Sequence, residues 1–207
     1  MARTTDKEAK RKQIIDGALK VFARKGLSNF KMADIAIEAK VGKGTLYEYF
    51  RTKEALIIGS VDDFMGEFEA HVMEQVAAVE KPADKIRRLM EASLEFCLKN
   101  EDNLDAMLDF YAVGVPRKGG EVSLMDLGPR YRNVIKWLAS VIDDGIEQGV
   151  FRQTNSEAVA SLFVGILDGL IFQAAVGATT IRPKEISDQF CDTFLNGILK
   201  GNETGNE

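Results

Sequence analysis

The residues whose types and spacing most clearly suggest a binding surface lie between Gly42 and Phe50. If this segment is helical, Leu46 and Phe50 stand four residues apart and share one face, which leaves the remaining side chains on the outside. Ammonium, hydroxyl and phenol groups on one exposed helix face can hydrogen-bond phosphates and base edges. The spacing therefore predicts a surface that reads DNA, although two helices around a glycine turn also occur in ordinary helical domains. The outward residues are Lys43, Gly44, Thr45, Tyr47 and Tyr49.

A second helix is predicted directly before this segment. Apolar residues recur at three- and four-residue spacing, which places them on one face of a helix that ends near Lys40. They are Met32, Ile35, Ala36 and Ala39. Two short helices around a tight turn form a helix-turn-helix, whose second helix enters the major groove of DNA.

The stretch from about Lys12 to Leu56 resembles the helix-turn-helix domain of the tetracycline-repressor (TetR) family of bacterial transcription factors. The resemblance implies an all-α chain with two parts. Residues 1–53 form a three-helix DNA-binding domain, and residues 54–207 form a helical ligand-binding and dimerisation domain. Beyond Leu56 only the architecture is similar. The matching residues are Ile14, Ile15, Ala18, Leu19, Phe22, Gly26, Asp34, Ile35, Ala36, Val41, Lys43 to Tyr47, Tyr49, Phe50, Lys53 and Glu54.

Three positions depart from the pattern of that family. Lys31 replaces a hydroxyl residue that caps the second helix and touches a phosphate, and Lys40 replaces the turn glycine. Gly42 replaces a serine cap. Loss of a hydroxyl cap costs about 1 kcal/mol, and a non-glycine residue at positive φ costs a similar amount. We expect changes in affinity and local stability while DNA binding is retained.

The resemblance and the spacing together give seven expected DNA contacts. Lys53 stands at the start of the next helix, beside the recognition helix, where its ammonium can reach a phosphate. Lys31 adds a further cation near the DNA backbone. The full set is Lys31, Lys43, Gly44, Thr45, Tyr47, Tyr49 and Lys53.

The charge is distributed unevenly along the chain. Residues 1–53 contain 13 Lys or Arg and 6 Asp or Glu, a net +7, whereas residues 54–207 contain 14 and 26, a net −12. A basic first part on an acidic body is expected when only the first part meets phosphate. Lys7, Lys10, Arg11 and Lys12 either contribute to this field or form a solvated tail.

The composition favours a globular chain and gives little support to an enzyme. The 207 residues are 45% hydrophobic and 29% charged, which suits one or two domains. Cys97 and Cys191 lie in apolar runs and read as buried free thiols of a reducing cytoplasm. The only histidine, His71, reads as structural or solvent-facing. Without a nucleophile elbow, phosphate loop or metal spacing, we expect no catalysis, cofactor or metal.

Helical patterns continue to the end of the chain, and no segment reads as a strand. The polar start lacks the apolar core of a secretory signal. Residues 158–181 are apolar enough to raise a membrane alternative, but we interpret them as a buried helix because Asp168 lies at the midpoint. The predicted helices span residues 5–25, 32–40, 45–50, 53–79, 83–99, 103–113, 124–148, 157–176 and 183–200, with a loop at 114–120 and a disordered tail from Gly201.

The last two helices are expected to hold a second copy of the chain. The resemblance implies this dimer, and small residues four apart independently allow close helix packing. A buried helix within one subunit remains the alternative. The predicted interface residues are Ser161, Gly165, Gly169, Phe190, Phe194 and Ile198.

Bulky apolar side chains with a few polar ends suit a cavity for a small apolar molecule in the middle of the body. Any single member of the set is more commonly an ordinary core residue. The candidates are Met90, Phe96, Met107, Phe110, Tyr111, Met125, Tyr131, Trp137, Phe172 and Gln173.

These observations favour a cytoplasmic, homodimeric transcriptional regulator that binds double-stranded DNA at a palindromic operator. In this hypothesis a small apolar ligand releases a repressor, because a shift of the long helix from Lys53 moves the DNA-reading part. The alternative is a DNA-binding assembly or architectural factor without a small-molecule ligand. Loss of operator binding that saturates with ligand discriminates between the two.

Overall fold

A computed structural model of the chain describes residues 2–99, 126–178 and 183–198. Within these ranges the regular structure is helical and contains no strand, which confirms the predicted all-α class. The predicted helix 103–113, the loop 114–120 and the tail from Gly201 lie outside the described residues.

Eight helices are described, and we number them in chain order. Their bounds differ from the predicted ones mainly by one to three residues at the ends. They are α1 (Ala2–Asn29), α2 (Met32–Glu38), α3 (Lys43–Tyr49), α4 (Lys53–Ala77), α5 (Pro82–Lys99), α6 (Gly128–Glu147), α7 (Ser156–Ala175) and α8 (Pro183–Ile198).

Helix α1 does not stop at Gly26 as the sequence predicts. Gly26 has a positive φ of 70°, but its ψ of 164° is extended rather than left-handed helical. Helical structure therefore resumes after a kink and continues to Asn29. The kink lets Leu27 and Phe30 turn inward, where each is less than a tenth exposed.

The described residues form two compact units. One contains residues 2–68 together with 126 and 127, and the other contains 69–99 with 128–178 and 183–198. The predicted domain boundary at residues 53 and 54 coincides with the start of α4, whereas the structural division falls inside that helix, after Phe68. We call residues 2–68 the reading unit and the other set the body unit.

The reading unit has a core of aliphatic and aromatic side chains from α1 to α4. Ile14, Ile35 and Leu46 are completely buried, and each comes from a different helix. Gly17 permits a close approach of α1 to the end of α2, because a Cβ added there would lie 2.8 Å from Ala39 Cβ. A side chain at residue 17 would therefore force α1 away from the end of α2.

In the body unit, α5 packs against α6, α7 and α8, and α6 packs against α7. Helix α5 turns one stripe of side chains into the core, and its members are at most 4% exposed. Helix α6 begins at Gly128, so Gly128 and Pro129 mark its start rather than a kink. The stripe of α5 consists of Ile86, Met90, Ser93, Leu94 and Cys97.

Helix α7 is apolar all round, but only one of its faces is buried. Among the described helices it is the one that is long and apolar enough to cross a membrane by length and composition, with a mean hydropathy of 1.8. Phe163 and Leu167 are buried, whereas Leu162 is 64% exposed and Phe172 is 55% exposed. The interpretation of α7 as a fully buried helix is therefore wrong for the single subunit.

Candidate functional site

The predicted inner face of the recognition helix is confirmed. Leu46 is completely buried, Phe50 is 5% exposed, and the Phe50 N–H donates to the Leu46 carbonyl at 2.9 Å. Gly42 caps α3 with an extended backbone, and the Leu46 N–H donates to its carbonyl at 3.0 Å. These contacts fix which side of α3 faces away from the core.

The outer face of α3 carries the predicted reading residues. Lys43 and Gly44 are exposed, Tyr47 is 46% exposed, and Thr45 and Tyr49 are half-buried. A Cβ added at Gly44 would meet nothing within 4 Å, so this part of the helix presents bare backbone. The five residues offer an ammonium, a hydroxyl, two phenols and an open backbone on one surface.

Local hydrogen bonds and backbone conformations accommodate the residues that depart from the family pattern. Lys31 precedes α2 with its side chain exposed, and the Asp34 carboxylate accepts a hydrogen bond from the Lys31 N–H at 2.9 Å. Lys40 takes the turn conformation of the missing glycine, with φ at 53°. The salt bridge from Lys25 and the Lys31 N–H hold the pKa of Asp34 below its usual range.

Lys53 makes contacts that sequence reasoning did not foresee. Its Nζ donates to the Ser28 carbonyl at 3.2 Å and lies 4.2 Å from the centre of the Phe30 ring. These contacts tie the start of α4 to the end of α1. One ammonium has three donors, so the same group can still meet a phosphate.

A charged cluster that joins α1 to α4 was also missed. Arg11 Nη1 donates to Asp63 Oδ1 at 3.0 Å, and Lys12 Nζ donates to Asp63 Oδ2 at 2.9 Å. Lys12 further contacts Asp16 and Glu67. Burial alone would lower the pKa of Lys12, but the hydrogen bonds to these carboxylates raise it above its ordinary value. Arg11 and Lys12 are therefore structural cations rather than a solvated tail.

The same contact region contains a tight approach between α3 and α4. The Arg11 guanidinium lies 5.7 Å from the centre of the Phe50 ring. A Cβ added at Gly59 would lie 2.7 Å from Phe50 Cε1. The end of the recognition helix is thus held between a cation of α1 and the bare backbone of α4. Gly59 and Phe50 are nine residues apart and lie on either side of the turn before α4, so local sequence patterns do not reveal this contact.

Pairing with carboxylates separates the basic residues of the reading unit into two groups. Arg24 is paired with Glu38, and Lys25 Nζ lies 2.9 Å from Asp34 Oδ2. Among the described residues, no carboxylate lies within salt-bridge distance of Lys31 or Lys43. Lys31 and Lys43 therefore keep their charge available for phosphate.

The predicted pocket residues are only partly brought together. Met90 is completely buried, and Phe96, Tyr131 and Trp137 are half-buried in the body unit. Tyr131 donates a hydrogen bond to Asp168 Oδ2 at 2.9 Å. Met107, Phe110, Tyr111 and Met125 lie outside the described residues.

Phe172 and Gln173 do not line an interior cavity in the single subunit. Both are exposed, and Phe172 projects from the face of α7 opposite to Phe163. The sequence pattern could not separate them from the core, since apolar residues surround this helix. They belong to its exposed face.

The predicted dimer residues divide into exposed and buried members. Ser161 and Gly165 are exposed, Gly169 is half-buried, and a Cβ at either glycine would meet nothing within 4 Å. By contrast, Ile198 is 5% exposed and belongs to the core of its own subunit. Phe190 and Phe194 pack edge-on against Phe163, with ring centres 5.4 Å apart in each pair. The two rings thus belong partly to the subunit core.

The thiols and the acidic groups of the described residues form no reactive site. Burial raises the pKa of Cys97 to about 12 and that of Cys191 to about 11. No group of three His, Cys, Asp or Glu side chains is placed to hold a metal ion within the described ranges.

A helix-turn-helix with a polar and basic outer face defines a DNA-binding protein. Residues 14–58 match the family of bacterial regulatory proteins of the tetR type, and residues 82–200 match the C-terminal domain of BetI-type transcriptional repressors. The chain belongs to the TetR family and is a DNA-binding transcriptional regulator, as the resemblance predicts.

Relatives and solved structures extend over nearly the whole chain. The fatty acid metabolism regulator protein of Bacillus subtilis is 27% identical over 197 residues, which covers 93% of this chain and 97% of the relative. The FadR regulator of Bacillus subtilis in complex with stearoyl-CoA has a TM-score of 0.75 and 19% identity, with 90% and 98% coverage. A regulator from Saccharomonospora viridis in complex with choline has a TM-score of 0.76 and 22% identity, with 94% and 100% coverage. The relatives are regulators, not enzymes.

Proposed function

We propose that this chain is a cytoplasmic repressor whose homodimer presents two α3 helices to the half-sites of a palindromic operator. The observation that carries the proposal is the outer face of α3, where Lys43, Thr45 and Tyr47 stand on a rigid and basic unit. Thr45 and Tyr47 contact base edges or adjacent phosphates, and Gly44 lets the backbone approach the DNA. Lys31, Lys43, Tyr49 and Lys53 position the unit on the DNA backbone.

The proposed dimer uses the exposed apolar face of α7. Leu162, Ile166 and Val176 are 64%, 41% and 51% exposed, and they share this face with Gly165 and Gly169. A single subunit leaves such a face in water, where it favours association. The open space at both glycines lets a second helix come close. Two recognition helices are then held about 34 Å apart, as one turn of DNA requires.

The proposed ligand is an acyl thioester with an apolar chain, bound in the body unit. The fatty acid regulator of Bacillus subtilis and the structure with stearoyl-CoA both point to this chemistry. Met90, Phe96, Tyr131 and Trp137 supply apolar surface with few polar ends. Because α4 contributes Lys53 to the reading unit and His71 to the body unit, a ligand that displaces its second half can change the geometry of DNA binding.

The test begins with a DNA duplex that the protein selects from a random pool. Fluorescence anisotropy then follows the release of this duplex as dodecanoyl-CoA is added, with free CoA as the control. We expect saturable release by dodecanoyl-CoA alone. Choline chloride in a parallel titration tests the ligand chemistry of the Saccharomonospora viridis structure. If no probe releases the duplex, the architectural alternative without a ligand is favoured.

A further inference from the structure

The body unit contains an unsatisfied polar atom on a residue that occurs once in the chain. The Nε2 atom of His71 is buried, and it has no hydrogen-bond partner among the described residues. The ring itself packs against Phe96, with ring centres 5.5 Å apart. A buried nitrogen without a partner costs about 1–3 kcal/mol, so a bound group that accepts a hydrogen bond from it would be stabilised there.

Interactions of α4, α5, α6 and α7 surround the part of the body unit that contains His71. Glu69 of α4 lies two residues before His71. It accepts a hydrogen bond from Arg130 of α6 at 2.6 Å. The neighbouring Tyr131 donates to Asp168 of α7. Burial, and secondly the charge of Asp168, raise the pKa of Cys97.

Cys97 follows Phe96 in α5, and the contact between Phe96 and His71 connects α5 to α4. These interactions link α4, α6, α7 and α5 within the body unit, and His71 lies on the α4 side of them. Met90, one of the predicted pocket residues, is completely buried on the inward stripe of α5.

We propose that His71 Nε2 donates a hydrogen bond to the carbonyl oxygen of the acyl thioester ligand. This inference rests on the proposed function and names the residue that recognises the polar end of its ligand. A neutral imidazole with its proton on Nε2 is the donor that a carbonyl oxygen requires. The hydrogen bond satisfies the buried nitrogen and joins the ligand to α4, the helix that begins at Lys53 in the reading unit.

The electrostatics of the region favour a neutral carbonyl over a free carboxylate. Asp168 lies on one of these linked helices, and its negative charge opposes a second carboxylate in a region of low dielectric. Tyr131 already donates its hydroxyl to Asp168. A thioester carbonyl needs only one donor and brings no charge, so His71 alone can satisfy it.

Two matched probes isolate the carbonyl oxygen. Dodecanoyl-CoA carries it, and S-dodecyl-CoA is the thioether with the same chain and no carbonyl. In the wild-type protein we expect the thioester to release the operator at a concentration roughly tenfold lower than the thioether, as one hydrogen bond permits. In His71→Phe this difference should disappear, while His71→Gln, which keeps an N–H near Nε2, should restore part of it.

Stability measurements separate this role from a structural one. In His71→Phe an aromatic ring of similar shape removes the unsatisfied nitrogen, so the ligand-free protein should melt at the same temperature or higher. Met73→Ala, on an exposed residue of the same helix, is the control and should leave both probes unchanged. The single histidine also gives one pair of ring 15N signals, and only dodecanoyl-CoA should shift the Nε2 signal.

The outcomes separate the inference from the proposed function. If dodecanoyl-CoA releases the operator equally well from wild type and His71→Phe, the role of His71 is overturned while the ligand class stands. If both probes weaken equally in His71→Phe, the histidine shapes the site without recognising the carbonyl. If neither probe releases operator from the wild-type protein, the acyl thioester class is overturned, and the inference with it.

Discussion

Lys53 has two measurable roles, and one substitution tests both. Its ammonium donates to the Ser28 carbonyl at 3.2 Å and lies 4.2 Å from the Phe30 ring centre, so Lys53→Ala removes both contacts. An exposed hydrogen bond and a cation–π contact contribute together about 1–2 kcal/mol. For a chain of this size that loss lowers the melting temperature by roughly 2–8 °C.

The phosphate role appears in the salt dependence of operator binding. Each neutralised phosphate contributes about 0.9 to the slope of log K against log salt concentration, so a dimer that loses two contacts loses roughly 1.8. Anisotropy titrations with the selected duplex at several salt concentrations measure this slope. Lys43→Ala is the matched comparison, because no internal partner of Lys43 is described. It should reduce the slope similarly without changing the melting temperature.

The combination of results decides between the two roles of Lys53. A lower melting temperature with an unchanged salt slope would show that the ammonium only ties α4 to the end of α1. A reduced slope without any loss of stability would mean that the contacts to Ser28 and Phe30 contribute nothing in solution. Lys53→Arg keeps the charge, so it should retain most of the slope in either case.

Three further predictions follow from the burial of individual residues. Thr45→Ala should weaken operator binding or relax specificity by about 1–3 kcal/mol at an unchanged melting temperature, whereas Phe50→Ala should cost on the order of 3 kcal/mol of stability. The opposite pattern in the two melting curves would reverse the assignment of inner and outer faces. Gly165→Leu should give a folded monomer in sedimentation that has lost tight operator binding, because the added side chain meets open space within the subunit. A stable dimer of that variant would move the interface elsewhere. Gly145→Ala places a Cβ 2.1 Å from Phe151 Cδ2, so urea unfolding should show a loss of about 1–3 kcal/mol. Wild-type stability would contradict the close contact.

The sequence predicted the helix-turn-helix well because its signals are local. The four-residue spacing of Leu46 and Phe50 determines the inner face of α3, and Gly42 marks the preceding cap. Thr52 gives a similar local signal as the residue before α4, since its hydroxyl accepts a hydrogen bond from the Ala55 N–H at 3.0 Å. Both features depend on residues within one helical turn.

Contacts between distant residues could not be read from such patterns. Gly59 touches Phe50 across α3 and α4, and Gly145 faces the Phe151 ring after a turn at Gly149. In the sequence these glycines only lower the helix propensity of their segments. The need for glycine becomes evident only in the folded structure. Each glycine leaves space for a phenylalanine ring with which a Cβ at that position would collide.

Helix α7 shows a different limit of sequence reasoning. Its apolar residues surround the helix, so periodicity cannot distinguish Phe163, which is completely buried, from Phe172, which is 55% exposed. The two residues lie nine positions apart and so fall on opposite faces. The buried face of α7 packs against the core of its own subunit. We expect a second subunit to cover the exposed apolar face.

The three departures in the reading unit show how local costs are tolerated. Lys40 holds a positive φ without glycine, and the cap of α2 lacks a hydroxyl side chain. Each costs about 1 kcal/mol, whereas the burial of Ile35 and Leu46 stabilises the same unit by roughly 1.5–3 kcal/mol each. Packing therefore outweighs the local strain, and Lys31 can stand where phosphate binding benefits from a cation. The core, rather than the caps, therefore determines the stability of the helix-turn-helix.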